Sequence, residues 1–280
     1  MLAWVERVST AALRLSGARS SHVVTQRGRV HAYELRGRGD GTFVLLHGMG
    51  TTATSYLAVA RGLLPYARRV LLPDLLSHGR SEVTPLDRGA LAVAMREALD
   101  TWVDPREPAV FLGTSLGGAT ALGYAIESPS RVRALVLASP AGAPLSAEEL
   151  DEIRRRFDLR TREDARRFFA ELLHRPPRAF RLLEGGLVEQ LGSPTVQGFL
   201  GSLSSADFLD PAALAALSCP IRVVWGQSDR ILPRSSLTFL RSTLPAGTHF
   251  EEPPALGHSP HLERPHLVVE HLVRAHRQTR

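Results

Sequence analysis

The chain has 280 residues, of which 44% are hydrophobic and 22% charged, as in an ordinary soluble globular protein and unlike a disordered one. This length fits one large domain, or a core domain with a modest insertion, and would be cramped for two full domains. The net charge is +6, but all 34 basic residues are arginine, and the longest cluster, within residues 154–167, is interleaved with aspartate and glutamate. We therefore expect a solvated helix face there and no nucleic-acid partner, with a phosphate or membrane-surface patch as the alternative.

Two further features concern the compartment. The single cysteine, Cys219, excludes an intramolecular disulfide and fits a reducing environment. No apolar run approaches the roughly 18 to 20 residues needed to span a bilayer, and residues 1–20 lack the layout of a signal peptide. A cytoplasmic location is the expectation.

The first predicted element is an N-terminal helix within residues 1–21. Leu2, Val5, Val8, Ala12 and Leu15 recur at helical spacing. This apolar side either packs on the body of the protein or contacts a membrane surface.

Strands and helices then alternate from residue 22 to residue 139. A hairpin is predicted within residues 22–35, followed by buried strands and helices in turn. Such alternation predicts an α/β fold with a mostly parallel central sheet and helices on both faces. The strands are predicted at 42–46, 69–72, 109–112 and 134–138, and the helices at 51–64, 90–103 and 118–126.

The alternation stops between residues 140 and 217, where the sequence is helical, charged and without a convincing strand. We interpret this segment as an inserted helical cap, whose apolar residues either pack against one another or line an acyl pocket. Strand-like sequence returns at 221–225 and 248–251, before a closing helix at 265–276. The predicted division is an N-terminal helix (1–21), a first core part (22–139), the cap (140–217) and a second core part (218–280).

The most informative motif lies between the strand at 109–112 and the helix that follows it. Residues 113–117 read Gly-Thr-Ser-Leu-Gly, which matches G-x-S-x-G. The two glycines allow strand and helix to approach closely, and the turn exposes the hydroxyl of Ser115 for nucleophilic attack.

A serine nucleophile needs a base and a carboxylate that orients the base. Asp229 follows the strand at 221–225, and His258 follows the last strand, so both are expected at the same sheet edge as Ser115. The backbone N–H groups of Met49 and Leu116 are predicted to form the oxyanion hole. Other residues are weaker candidates for the acid and the base, namely Asp74 and His261, and we expect His47 and His78 to organise loops.

These motifs together resemble the α/β-hydrolase superfamily over residues 22–276. His47-Gly48 is similar to the family's oxyanion loop, residues 74–81 to its D-x-x-G-H-G-x-S loop, and Gly257-His258 to its base. Ser77 departs from the pattern, since the family has glycine there. Residues 113–115 and 139–142 are similar to monoacylglycerol-lipase-like esterases, whereas dehalogenase and epoxide-hydrolase branches carry aspartate in place of Ser115.

The resemblance implies a serine hydrolase of carboxylic esters that needs no cofactor and no metal, acting on a small, apolar ester. The main alternative within the fold is a carbon–carbon bond hydrolase with the same triad. Residues 48–53 match G-x-G-x-x-A, with Asp74 ending the next strand, which would suit a dinucleotide but leaves Ser115, Asp229 and His258 without a role. A ligand-binding receptor of the same fold is a third hypothesis.

Overall fold

The computed structural model describes residues 2–204 and 207–279 and contains one sheet of eight strands. The strands lie in the order β1-β2-β4-β3-β5-β6-β7-β8. β1 pairs antiparallel with β2, and β2 with β4, while every later pair is parallel. This confirms the predicted α/β class and mostly parallel sheet. The eight strands are β1 (Arg19–Thr25), β2 (Gly28–Arg36), β3 (Gly41–Leu46), β4 (Ala67–Pro73), β5 (Ala109–Thr114), β6 (Val132–Ala138), β7 (Ile221–Val224) and β8 (His249–Glu251).

Helices cover both faces of the sheet. They are α1 (Leu2–Leu15), α2 (Leu57–Leu63), α3 (Arg88–Trp102), α4 (Leu116–Glu127), α5 (Ala147–Phe157), α6 (Arg162–Leu172), α7 (Glu184–Leu191), α8 (Pro194–Ser202), α9 (Pro211–Ala215), α10 (Arg234–Thr243), α11 (Pro260–Glu263) and α12 (Pro265–Gln278), with 3₁₀ turns at 53–56, 129–131 and 178–183. Helices α2 and α12 pack on one face, and α3 and α4 on the other. Because both faces are covered, every residue of β3 and of β5 is buried, as the continuous apolar runs predict.

The segment predicted as one helix from 51 to 64 is shorter than expected. It starts as a 3₁₀ turn at 53–56 and becomes α2 at Leu57. The carboxylate of Asp74 accepts a hydrogen bond from Ala53 N–H at 2.8 Å, which fixes where the turn begins. Residues 47–52 therefore remain a loop at the end of β3.

Between β6 and β7, the described residues form helices and loops. Capping boxes start α5 at Ser146 and α6 at Thr161, so both helices begin where polar side chains satisfy their first N–H groups. The arginines of this region pair with neighbouring acids, for instance Arg154 with Asp151 and Arg166 with Glu184. The cluster within 154–167 is therefore an ion-paired helix surface, in agreement with its alternating charges.

Helix α1 packs on the body through one side. Leu13 is buried in the core beside β2 and α2, and the Glu6 carboxylate accepts hydrogen bonds from the hydroxyls of Thr52 and Thr54. No helix in the described ranges is long and apolar enough to cross a membrane.

Candidate active site

Ser115 occupies a strained turn between β5 and α4. Its φ of 53° and ψ of −117° lie outside the regions that most residues adopt. The turn requires glycine on both sides, because a Cβ on Gly117 would lie 2.1 Å from Leu46 O and one on Gly113 would lie 2.4 Å from Gly117 O. The two glycines of the motif thus let α4 start directly against β3 and β5, and Ser115 projects from the junction.

The loop after β3 lies against this serine. A Cβ on Gly48 would be 3.3 Å from the Cβ and 3.9 Å from the Oγ of Ser115. The next residue, Met49, has a backbone N–H for which the described residues provide no acceptor. Leu116 is the first residue of α4, where helix N–H groups lack partners within the helix. Met49 and Leu116, the residues predicted to supply the oxyanion hole, thus line the same cavity as Ser115.

Two buried histidines hold this loop in place. His47 accepts a hydrogen bond from Leu75 N–H at its Nε2 and donates from Nδ1 to Gly48 O. His78 accepts one from Gly50 N–H and donates to Leu76 O. An imidazole that both accepts and donates is neutral, and burial lowers the pKa of His47 to about 4 and also lowers that of His78. Their loop-organising role agrees with the expectation.

Ser77, where the family pattern has glycine, keeps the backbone conformation that glycine favours. Its φ is 63°. The side chain compensates by bonding to Thr84, since Oγ donates to Thr84 O at 2.8 Å and accepts from Thr84 N at 3.0 Å. The departure from the pattern therefore leaves the turn intact.

Asp229 and His258 meet at the carboxyl edge of the sheet. Successive strand ends are joined there by backbone hydrogen bonds from Ser115 to Ala138 and from Ser139 to Val224. Asp229 lies just beyond β7, and its Oδ2 accepts a hydrogen bond from His258 Nδ1 at 2.8 Å. Its Oδ1 accepts from the N–H groups of residues 231 and 232. The acid and the base predicted from the sequence are thus in contact.

The carboxylate of Asp229 stays ionised although it is buried. Burial alone would raise its pKa, but the charge and the hydrogen bond of His258, together with the hydrogen bond from Ile231 N–H, act in the opposite direction, and the net effect is a lowered pKa. An ionised Asp229 can keep the proton of His258 on Nδ1 and leave Nε2 available as a base.

No hydrogen bond joins Ser115 to His258 within the described residues. Such contacts often become short only when substrate binds. The competing base, His261, is buried in α11 with neither ring nitrogen hydrogen-bonded. Burial lowers its pKa to about 3, and its ring lies against Tyr56, so it lacks the carboxylate partner that His258 has.

A second chain of serine, histidine and aspartate was not anticipated from the sequence. Ser20 Oγ lies 2.8 Å from His31 Nε2, and His31 Nδ1 lies 2.8 Å from Asp74 Oδ2. Unlike Ser115, Ser20 lies within a regular edge strand, with no helix starting behind it. Asp74 also binds the N–H groups of Ala53 and Arg80, so this chain connects β1, β2 and the loop after β4. No motif signals it, because its members come from three separate segments.

We expect Asp74→Asn to destabilise the protein by about 3 kcal/mol at pH 7, because it breaks a buried pair with His31. Burial opposes ionisation of Asp74, but the hydrogen bonds from His31, Ala53 and Arg80 lower its pKa on balance. A carboxyl with a lowered folded-state pKa stabilises above its unfolded pKa, about 3.9, and loses this contribution as the pH falls through the folded-state value.

Urea unfolding between pH 7 and pH 3 measures this effect. The free energy of unfolding should decrease at low pH less steeply in Asp74→Asn than in the native chain. Parallel pH profiles for the two proteins would contradict the assignment.

An apolar cavity of about 120 Å³ opens at Ser115. Met49 and Leu116 border it on the core side. Its charged residues, Arg88 and Asp207, form an ion pair with each other at 3.3 Å. Most of the remaining lining is apolar and comes from residues 140–217, including Leu145, Leu150, Ile153, Phe157, Phe199, Leu200, Leu203 and Phe208.

Asp74 cannot serve a dinucleotide in this arrangement, because its buried oxygens already bind His31, Ala53 and Arg80. Gly50, in the G-x-G-x-x-A match, is also covered, since a Cβ there would be 2.2 Å from the Leu191 side chain. Among the described residues, no group of three or more histidine, cysteine, aspartate or glutamate side chains is arranged to hold a metal ion.

A model of the alpha/beta hydrolase family matches residues 43–271. The chain belongs to the α/β-hydrolase family. The match includes the turn at Ser115, the Asp229–His258 pair and residues 140–217, and it confirms the resemblance noted in the sequence.

Several characterised proteins are similar to this α/β hydrolase. Over 259 residues it is 29% identical to a pimeloyl-[acyl-carrier protein] methyl ester esterase of Pectobacterium atrosepticum, covering 86% of this chain and 96% of that protein. The structure of a membrane phospholipase A aligns at a TM-score of 0.82 and 23% identity. The alignment covers 99% of this chain and 92% of the phospholipase chain. The structure of the 2-hydroxy-6-oxo-6-phenylhexa-2,4-dienoate hydrolase of Rhodococcus sp. strain RHA1 aligns at a TM-score of 0.78 and 22% identity. The alignment covers 93% of this chain and 99% of the hydrolase. At these identities the two structures establish the fold alone.

Proposed function

We propose that this α/β hydrolase cleaves carboxylic esters with an apolar acyl group through an acyl-enzyme on Ser115. The observation that carries the proposal is the pairing of His258 with the buried, ionised Asp229 at the edge where the strained Ser115 projects. The esterase relative from Pectobacterium supports the same reaction class.

In the proposed reaction, Ser115 Oγ attacks the ester carbonyl while His258 Nε2 accepts its proton. Asp229 stabilises the imidazolium that forms. The tetrahedral oxyanion accepts hydrogen bonds from the N–H groups of Met49 and Leu116. Collapse expels the alcohol, which leaves with the proton from His258, and a water that His258 deprotonates then releases the acid. His258 carries each proton, first from Ser115 to the leaving alcohol and then from the water to Ser115, while Asp229 stays ionised throughout, so the proposed reaction needs no cofactor.

Residues 140–217 act in this proposal as a cap that sets substrate selectivity. Helices α5 and α8 contribute Leu150, Ile153 and Phe199 to the wall of the cavity, and Ile231 and Leu232 close it from the core side. Burial of apolar acyl carbon contributes about 0.8 kcal/mol per CH₂ group. The cavity therefore favours acyl chains over charged acids, because its charged pair, Arg88 and Asp207, is already neutralised.

A series of p-nitrophenyl esters from acetate to dodecanoate tests the proposal. We expect kcat/KM to rise roughly threefold to fourfold for each added CH₂ until the cavity is filled. Ala119 lines the cavity next to Leu116, so Ala119→Phe should lower kcat/KM for the long esters more than for acetate. Absence of turnover with every ester would contradict the proposal and favour a ligand-binding receptor, and an unchanged chain-length profile in Ala119→Phe would place the acyl chain elsewhere.

Carbon–carbon bond hydrolysis remains the second candidate because the Rhodococcus dienoate hydrolase shares the fold. A dienoate substrate carries a carboxylate, yet Arg88, the one arginine that lines the cavity among the described residues, is paired with Asp207. We therefore expect faster turnover of esters than of a 2-hydroxy-6-oxo-dienoate. The opposite ranking of kcat/KM would assign the protein to carbon–carbon bond cleavage.

A further inference from the structure

Helix α1 has one side that no other part of the described structure covers. Trp4, Val8 and Leu15 expose 61%, 45% and 89% of their surface, and Ala11 between them is also exposed. At about 100° per residue, these four positions fall within an arc of about 60°. The opposite side carries Leu13, which is buried. The helix therefore presents a continuous apolar stripe to its surroundings.

The charged residues of α1 differ between its exposed side and the side that faces the body of the protein. Arg7 and Arg14 are exposed along one flank of the stripe, and neither has an ion-pair partner among the described residues. Glu6, the acidic residue of the helix, points to the body and binds Thr52 and Thr54. The outer surface of α1 thus combines apolar groups with cations and has no anion of its own.

We propose that this outer surface docks the protein onto a bilayer that contains anionic phospholipids. The helix of 14 residues is about 21 Å long, too short to span a bilayer, so it would lie in the plane of the interface. Trp4 suits the headgroup region, Val8 and Leu15 enter the acyl boundary, and the two arginines bind lipid phosphates. The net charge of +6 adds long-range attraction to an anionic surface.

Charge also decides against a second copy of the chain as the occupant. Two copies packed through this surface would bring Arg7 and Arg14 against the same arginines, without a carboxylate to neutralise them. A lipid phosphate supplies the missing negative charge.

The docked surface adjoins the catalytic edge. Helix α1 contacts the 3₁₀ turn at 53–56 and helix α7. Leu191 of α7 in turn packs over Gly50, next to the proposed oxyanion donor Met49. Docking through α1 therefore keeps this side of the molecule close to the lipid, although binding itself does not depend on the proposed chemistry.

Co-sedimentation with vesicles of phosphatidylcholine, with and without phosphatidylglycerol, tests the proposal. The full chain carrying Ser115→Ala is used, so that lipid hydrolysis does not enter. We expect binding at least about tenfold tighter with phosphatidylglycerol, and a similar loss in the double variant Arg7→Gln, Arg14→Gln. Trp4→Ser with Leu15→Ser should weaken binding at least about tenfold to either vesicle.

Matched control variants carry the same change at exposed apolar sites elsewhere. Val24 and Val83 are 84% and 73% exposed. The double variant Val24→Ser, Val83→Ser should bind the vesicles as tightly as the chain without these two changes. Fluorescence gives a second readout, because Trp102 and Trp225 are buried and Trp4 is the exposed tryptophan. The emission of Trp4 should shift to shorter wavelength when the protein binds anionic vesicles, and Trp4→Phe should remove this shift.

Equal binding of the Trp4/Leu15 and Val24/Val83 variants would overturn the proposal, and so would indifference to phosphatidylglycerol. A dimer in sedimentation that buries Trp4 would overturn it in favour of a second copy. Hydrolysis of p-nitrophenyl butyrate in solution, measured on the native Ser115 chain, reports the proposed function separately, so the two failures are distinguishable.

Discussion

Replacing Ser115 by alanine should lower kcat for ester hydrolysis by roughly 10⁶-fold, because the nucleophile and its covalent intermediate are lost together. Folding should be retained, since Ser115 holds its φ of 53° in a turn fixed by backbone hydrogen bonds from Gly118, Ala119 and Ala141 to Ser115 O. The measurement is the initial rate with p-nitrophenyl butyrate, together with stoichiometric labelling by a fluorophosphonate, which should occur in the native chain and be absent in the variant.

The second serine–histidine–aspartate chain provides a matched control. Ser20→Ala also removes a hydroxyl that is bonded to a histidine–aspartate pair, His31 and Asp74. Because Ser20 lies within a regular strand outside the cavity at Ser115, we expect its loss to change kcat by less than about twofold. If Ser20→Ala abolished hydrolysis and Ser115→Ala did not, Ser20 and not Ser115 would have to be assigned as the nucleophile.

Asp229→Asn should lower kcat by about 10⁴-fold with little change in KM. The amide would accept a hydrogen bond from His258 Nδ1 only weakly, or would donate one to it, so the tautomer of His258 with an unprotonated Nε2 would no longer be favoured. The variant also lacks the carboxylate charge that stabilises the imidazolium. The Oδ1 contacts with Ile231 N–H and Leu232 N–H can persist in the amide, so the loop after β7 should keep its shape.

Asp74→Asn is the comparison for this effect. It alters the other buried aspartate that is paired with a histidine, so both variants remove one buried negative charge. We expect the two kcat values to differ by at least about a hundredfold, whereas both variants lose stability in urea. Similar kcat values in the two variants would show that Asp229 has no special role in the reaction.

Local sequence patterns determined the architecture of this protein. Continuous apolar runs such as 42–46 and 109–112 belong to strands that are covered on both faces, and their alternation with helical segments specifies a parallel sheet. The elbow is also local, because the strain at Ser115 and the close approach at Gly113 and Gly117 are properties of five consecutive residues. A parallel sheet then places all its strand ends at one edge, and so Asp229 and His258 could be expected together.

Only the tertiary structure decided how separated residues pair. The chain from Ser20 through His31 to Asp74 and the neutral states of His47 and His78 depend on hydrogen bonds between segments that have no spacing in common. The two sides of α1 are a further case. Helical periodicity predicted that Val8 and Leu15 would share an apolar side but left open whether that side packs on the body, and in the structure Val8 and Leu15 are exposed whereas Leu13 is buried. Periodicity fixes which residues share a side of a helix, whereas which side is covered depends on the neighbours that the fold supplies.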